Sequence, residues 1–215
     1  EFVDYPNFKD SFSWGKMESI AKEDFETIKK EIFVDDCYQK FVKVEQNDIV
    51  VDIGASVGPF AYSIMHKNPK LVYCLEPNKD LFKTLKKNLP QSNVICLNVG
   101  IANQNNKVLI SSIYETTEGR TLIDGIKFST FIKEHNIEKI DFLKCDCEGA
   151  EYDIFNDENL EWINKNVKKI AAEIHLSTPE QKKKFVHFRD TYLKQFKNFE
   201  IYSLDYANIK WDLYN

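Results

Sequence analysis

From residue 49 onward the chain alternates short apolar runs with stretches of helical periodicity, and no other feature restricts its fold as strongly. A strand buried on both faces reads as a near-continuous apolar run, and its parallel neighbour is reached through a helix. The alternation therefore predicts βαβ units around a mostly parallel sheet. Strands are expected at 49–53, 71–75, 94–99, 140–146 and 169–175, with an extra strand or hairpin at 108–114. Helices are expected at 19–32, 60–67, 129–135 and 152–164. Another is capped by Asn78, with Leu81, Phe82, Leu85 and Leu89 on one face. A last helix is entered at Pro179, with Phe185, Phe188, Tyr192 and Phe196 along one side. Strands at 199–204 and 209–213 would finish the sheet as a C-terminal antiparallel hairpin.

The expected fold class is α/β: a seven-stranded, mostly parallel sheet with helices on both faces, in a single domain. Residues 46–215 would form its body, and residues 1–45 an N-terminal helix and extension packed on it. A length of 215 residues supports one sizeable core, and seven Gly with six Pro are too few for a linker-rich chain. The charge balance, 29 − 34 = −5, argues against broad binding to a phosphate backbone, so a nucleic-acid partner is not expected. No run approaches the roughly 20 apolar residues of a membrane span, and residues 1–10 lack a basic-then-apolar leader. The expectation is a soluble, cytoplasmic protein with no membrane partner. Cys37, Cys74, Cys96, Cys145 and Cys147 include no C-x-x-C pair and read as reduced core thiols.

The segment Asp52-Ile53-Gly54-Ala55-Ser56-Val57-Gly58 lies where a strand hands the chain to a helix. Glycine there permits turns and close ligand approach that side chains block. A dinucleotide fingerprint G-x-G-x-x-G from Gly54 would need glycine at Ser56 and Pro59, and a phosphate-binding P-loop would need Gly-Lys-Ser/Thr where Pro59-Phe60 follow Gly58. Both readings fail. The spacing Asp-x-Gly-x-x-x-Gly instead resembles the first motif of class I S-adenosylmethionine-dependent methyltransferases, against the alternative of a tight connection that binds nothing. Glu76 closes the next strand, at a distance suited to accept ribose hydroxyls.

Residues 140–151, IDFLKCDCEGAE, resemble the hallmark I-D-x-L-K-x-D-x-E-G-x-E of the FkbM family of methyltransferases. VDIGASVGPF at 51–60, LEPN at 75–78 and EIH at 173–175 extend the resemblance over roughly residues 30 to 176. Ser56 stands where the family usually has Asn, and serine still donates and accepts a hydrogen bond. The resemblance implies a Rossmann-like class I methyltransferase fold, S-adenosyl-L-methionine as methyl donor, and O-methylation of a small-molecule or glycan hydroxyl. It implies a cofactor site at Asp52, Gly54, Ala55, Ser56, Gly58, Phe60, Glu76, Pro77, Asn78, Asn98, Val99 and Asp146. The alternatives are a non-catalytic module that binds an adenosyl cofactor and a nucleic-acid methyltransferase, the latter without an N-P-P-Y-type or D-P-P-Y-type motif.

Methyl transfer is an in-line displacement, so the chemistry calls for positioning and for a base that accepts the hydroxyl proton. Lys144, Asp146 and Glu148 share a two-residue period on the fourth strand, as do Glu173 and His175 on the fifth, and these five are the candidate catalytic residues. His175 reads as general base, hydrogen-bonding group or metal ligand, with the choice open. Asp146, Glu148 and Glu173 would offer an oxygen-rich site for Mg²⁺ or Ca²⁺ similar to that of catechol-type O-methyltransferases. Glu151 reads as negative charge at a helix start. His66, His135 and His187 take no role, and Lys182 to Lys184 read as solvated charge.

Overall fold

The computed structural model describes residues 12–15, 22–111, 120–176 and 178–196. Helix α1 (Lys22–Phe33) precedes a short 3-10 turn at Cys37–Gln39. Strand β1 (Ile49–Ile53) leads into α2 (Pro59–Ile64), β2 (Leu71–Leu75) into α3 (Lys79–Asn88), and β3 (Val94–Leu97) follows. After β4 (Gly100–Ile101), β5 (Asn106–Ser111) and β6 (Arg120–Ile126) come α4 (Phe128–Glu134) and β7 (Phe142–Cys145). The chain continues through α5 (Glu151–Ile154), α6 (Asp157–Asn166), β8 (Ile170–Ala172) and α7 (Pro179–Thr191).

Five strands form a parallel sheet in the order β3-β2-β1-β7-β8. The winding runs outward from β1 to β3 and then returns to place β7 on the other side of β1. The order thus reverses between β1 and β7, and the carboxyl ends of strands at such a switch point are where ligands of open α/β sheets bind. Alternation sorts the side chains: Val51, Ile53, Tyr73, Leu75, Leu143 and Cys145 pack with Phe128, Phe131 and Phe185 in one core. Val50, Val72, Cys74 and Phe142 pack on the opposite face with Phe60, Ile64 and Leu85. Helices therefore cover both faces, as the apolar strand runs require.

Among the described residues the main sheet has five strands, and 106–111, expected as an extra strand or hairpin at 108–114, pairs antiparallel with β6 in a separate three-stranded sheet. The expected strands at 199–204 and 209–213, and the first turn of the helix expected at 19–32, lie outside the described residues. The helix expected at 152–164 is two helices, because the Asn156 side chain accepts the Asn159 N–H at 3.2 Å and caps a new start. Asp141, part of the IDFLK run, accepts the Ile49 N–H at 2.9 Å and so anchors the entry of β1. Among the described residues, no helix is long and apolar enough to cross a membrane.

Gly54 adopts φ +77, and a Cβ there would collide with the main-chain oxygen of Asp146. Gly58, at φ +90, faces Leu85 of α3 and Leu89 at its C-cap. The close approach expected of a ligand at these glycines is made by the protein itself, which seats the turn against β7 and α3. Gly54→Ala combines a left-handed backbone with a main-chain clash. It should cost roughly 3 kcal/mol or more in urea unfolding, and a loss under about 1 kcal/mol would contradict this packing role.

Candidate active site

At the switch point the sheet buries a charged pair. Asp52 and Lys144 are register partners on β1 and β7, and the Lys144 Nζ lies 3.2 Å from Asp52 Oδ1 with both side chains sealed from solvent. The ammonium also donates to the Gly54 carbonyl at 2.8 Å and lies 3.7 Å from Asp146 Oδ2. Burial works to discharge Lys144, but the nearby Asp52 and Asp146 outweigh it and hold the ammonium charged well above its ordinary range. Neither Asp52 oxygen has a hydrogen bond of good geometry, so its charge depends on the ion pair. Lys144 thus ties the end of β1, the glycine turn and the end of β7 to one positive centre.

Glu76 closes β2 beside that turn and is buried. Its Oε2 accepts the Ser56 N–H at 2.8 Å and its Oε1 the Asn78 N–H at 2.7 Å. Burial pushes the carboxyl up to about 7 despite those two bonds. Each oxygen of a carboxylate accepts two hydrogen bonds, so Glu76 retains capacity for two further donors. Asn98 uses its amide to hold the Glu76 and Pro77 carbonyls at 2.8 and 3.0 Å, and Asn78 caps α3. Val99 packs on the apolar core. Ala55 is buried, and Phe60 stacks on Phe142 at 5.7 Å. For Asn98, Asn78 and Phe60 the side chain is thus committed to the scaffold.

Across the crevice a second set of charges gathers on His175. Glu173 continues from β8 through its N–H to the Cys145 carbonyl at 2.9 Å, and the strand ladder ends at Ala172, short of the expected 175. Glu148 does not extend the strand period of Lys144 and Asp146: β7 stops at Cys145, and Glu148 sits in a turn at φ +58. That turn still delivers it to His175, with Glu148 Oε2 3.3 Å from Nε2. Glu173 Oε1 and Asp146 Oδ1 stand 3.9 and 4.0 Å from the same nitrogen.

Glu151, read from the sequence only as helix-start charge, has a larger part. It is buried, and its Oε1 lies 3.0 Å from His175 Nδ1 and accepts the Cys147 N–H at 2.9 Å. Its place in the EGAE run was the available signal. Tyr38 is the group that sequence reasoning missed: its hydroxyl donates to Asp146 Oδ2 at 2.7 Å. Burial alone would lower the imidazole of His175, but the Glu151 hydrogen bond and the charges of Glu151, Glu148 and Asp146 outweigh it and push it up to about 9. Burial, then the Asp146 charge, pushes Glu173 up to about 7.

Asp146, Glu148 and His175 offer ligand atoms that all lie within 4.8 Å of one another. A nitrogen thus enters the set expected to be all carboxylate, whereas Mg²⁺ and Ca²⁺ prefer oxygen ligands. The donor set does not fit the expected hard cation. His66 and His187 are exposed, His135 packs on Tyr73 and Phe131, and Lys182 to Lys184 are exposed. All five cysteines are free thiols.

The raised His175 value carries a stability consequence. A group whose folded value exceeds its unfolded one stabilises fully below the unfolded value, near 6.5, and loses that contribution as pH rises through about 9. Glu76 and Glu173, raised to about 7, give a fall in the same direction between about 4.5 and 7. Urea unfolding followed from pH 6.5 to 9.5 should show falling stability in the wild type and a flatter curve in His175→Gln. Identical slopes would contradict the ion cluster.

Residues 110–201 match the domain described as Methyltransferase FkbM domain. Among curated proteins, the chain is 25% identical over 188 residues to Methyltransferase 1 of Beauveria bassiana (strain ARSEF 2860), covering 70% of this chain and 75% of that one. It is also 25% identical over 181 residues to Methyltransferase sdnD of Sordaria araneosa, covering 63% of this chain and 70% of that one. Among solved structures it is similar to Precorrin-6y C5,15-methyltransferase from Geobacter metallireducens GS-15, with a TM-score of 0.47, 12% identity and coverage of 86% and 78%. The matched segment 110–201, which is similar to the FkbM methyltransferase domain, holds β7, Asp146, Glu148, Glu151 and His175.

Proposed function

We propose that the protein transfers a methyl group from S-adenosylmethionine to a hydroxyl oxygen of a small-molecule or glycan acceptor. One observation carries the reading: a buried carboxylate with unused acceptor capacity, Glu76, stands beside the glycine turn at the same switch point where Asp146 and His175 meet. A vicinal diol supplies two hydroxyl donors, which suits the two open positions on Glu76, so the residues present fit an adenosyl group. When bound, that group supplies an electrophilic methyl on a sulfonium. Glu76 would hold its ribose, and the main chain of 54–58 would border it.

On the acceptor side, the O–C bond forms as the S–C bond breaks, and the hydroxyl proton passes to a base of this chain. His175 is protonated at neutral pH, with Nδ1 held by Glu151, which suits it to donate through Nε2 rather than to accept. The proton acceptor is then a carboxylate. Glu173 stands near neutrality at the mouth of the crevice, where a base works efficiently. Asp146 and His175 orient the hydroxyl, with the Lys144 ammonium 3.7 Å from Asp146 Oδ2.

Titration calorimetry with S-adenosylhomocysteine tests the cofactor half. The folded wild type should bind, and Glu76→Ala should weaken binding by about tenfold or more. A folded wild type that does not bind overturns the reading. With labelled S-adenosylmethionine and a panel of polyhydroxylated acceptors, Asp146→Asn and His175→Ala should lower turnover by roughly 100-fold while leaving S-adenosylhomocysteine affinity within about threefold. Tight binding without transfer to any acceptor would point to the non-catalytic module instead.

A further inference from the structure

Tyr38 enters the site from outside the sheet, 108 residues before the group it touches. Its place on the chain is built with care. Asp36 adopts φ 48 and redirects the backbone after α1 into the 3-10 turn. Gln39, buried, then fixes that turn on three sides: its Nε2 donates to Asp36 Oδ1 at 2.8 Å, and its Oε1 accepts the Val44 N–H at 3.0 Å and the Lys67 ammonium at 2.7 Å. A buried amide with three partners is a rigid clamp, and Lys67, at the end of the 3-10 turn after α2, ties the segment to the body.

The clamp presents the Tyr38 ring edge-on to Phe60 at 5.6 Å and places it 5.0 Å from the Lys144 ammonium. The hydroxyl then reaches Asp146 Oδ2. Burial, then the Asp146 charge, holds the phenol well above its ordinary range, so it stays a donor across working pH. Oδ2 therefore receives both the phenol and the field of Lys144, whereas Oδ1 is the oxygen turned toward His175 Nε2. A carboxylate held at one oxygen cannot swing, and the direction of its other oxygen is set by the holder.

We infer that Tyr38 is a positioning residue: its hydroxyl locks Asp146 Oδ2 so that Oδ1 faces His175 and the acceptor side of the crevice. The N-terminal segment thus completes the site that the family-matched region alone leaves open. The purpose of that orientation rests on the methyl-transfer reading, but the locking itself does not, and it can be tested without an acceptor.

The readout is the His175 imidazole titration followed by NMR in the full chain, where Asp146, Glu148, Glu151 and Glu173 face the ring. Tyr38→Phe keeps the ring and removes one oxygen. It should free Asp146 to close on His175 and raise the titration midpoint by about 0.5 pH unit. Asp146→Asn should lower the midpoint, and adding Tyr38→Phe to it should change it by no more than about 0.2 unit, since the two act through one contact. Gln39→Ala, which loosens the clamp, should shift the midpoint upward as well.

Equal midpoints in wild type and Tyr38→Phe, or additive shifts in the double variant, overturn the inference. A merely structural Tyr38 would alter the unfolding temperature without coupling to Asp146. S-adenosylhomocysteine calorimetry on the same samples separates the two proposals. Loss of binding in the wild type would remove the cofactor reading and leave the coupling standing. Coupling that vanishes while binding persists would remove only the role of Tyr38.

Discussion

An ammonium sealed inside the sheet governs the arrangement of everything at the crevice. Taking Lys144 out of water is tolerated only because Asp52, the Gly54 carbonyl and Asp146 surround it, and removal of one partner from such a buried pair typically costs about 3–5 kcal/mol. The same three contacts fix the end of β1, the turn and the end of β7. The charge that demands compensation therefore also aligns the strands at their switch point. Gly54 lacks a side chain for the same reason: the Asp146 backbone lies where a Cβ would stand.

The second layer of charge is unbalanced by design of its neighbours. Four carboxylates, Asp146, Glu148, Glu151 and Glu173, crowd one imidazole. Their charge keeps the proton on His175, and burial, followed by the Asp146 charge, raises Glu173 toward neutrality. Glu151, deepest of the four, is held below the usual carboxylate range: burial opposes its charge, and the His175 contact outweighs that. It thus keeps the ring oriented, while the outer acids face the opening.

Much of this was legible because its causes are local. A parallel strand buried on both faces announces itself as an apolar run, and Asp52, Gly54, Gly58 and Glu76 follow from where such runs end. Other features depended on contacts no periodicity encodes. Asn156 could equally continue a helix or cap a new one, and in the fold its side chain takes the Asn159 N–H and caps. Glu148 kept the strand period on paper yet left the strand, because the chain turns at positive φ to bring the acid round to His175.

By itself the sequence determined the layered α/β body, the acid-flanked glycine turn and the cluster of candidate residues near 144–151 and 173–175, since each arises from spacing within a few residues. Only the tertiary structure decided how the charges are shared: that Lys144 belongs to Asp52, that Glu151 serves His175, and that Tyr38 claims one oxygen of Asp146. Electrostatic partnership depends on distance through space and on exclusion of water, and neither quantity is written along a chain whose partners lie 108 residues apart.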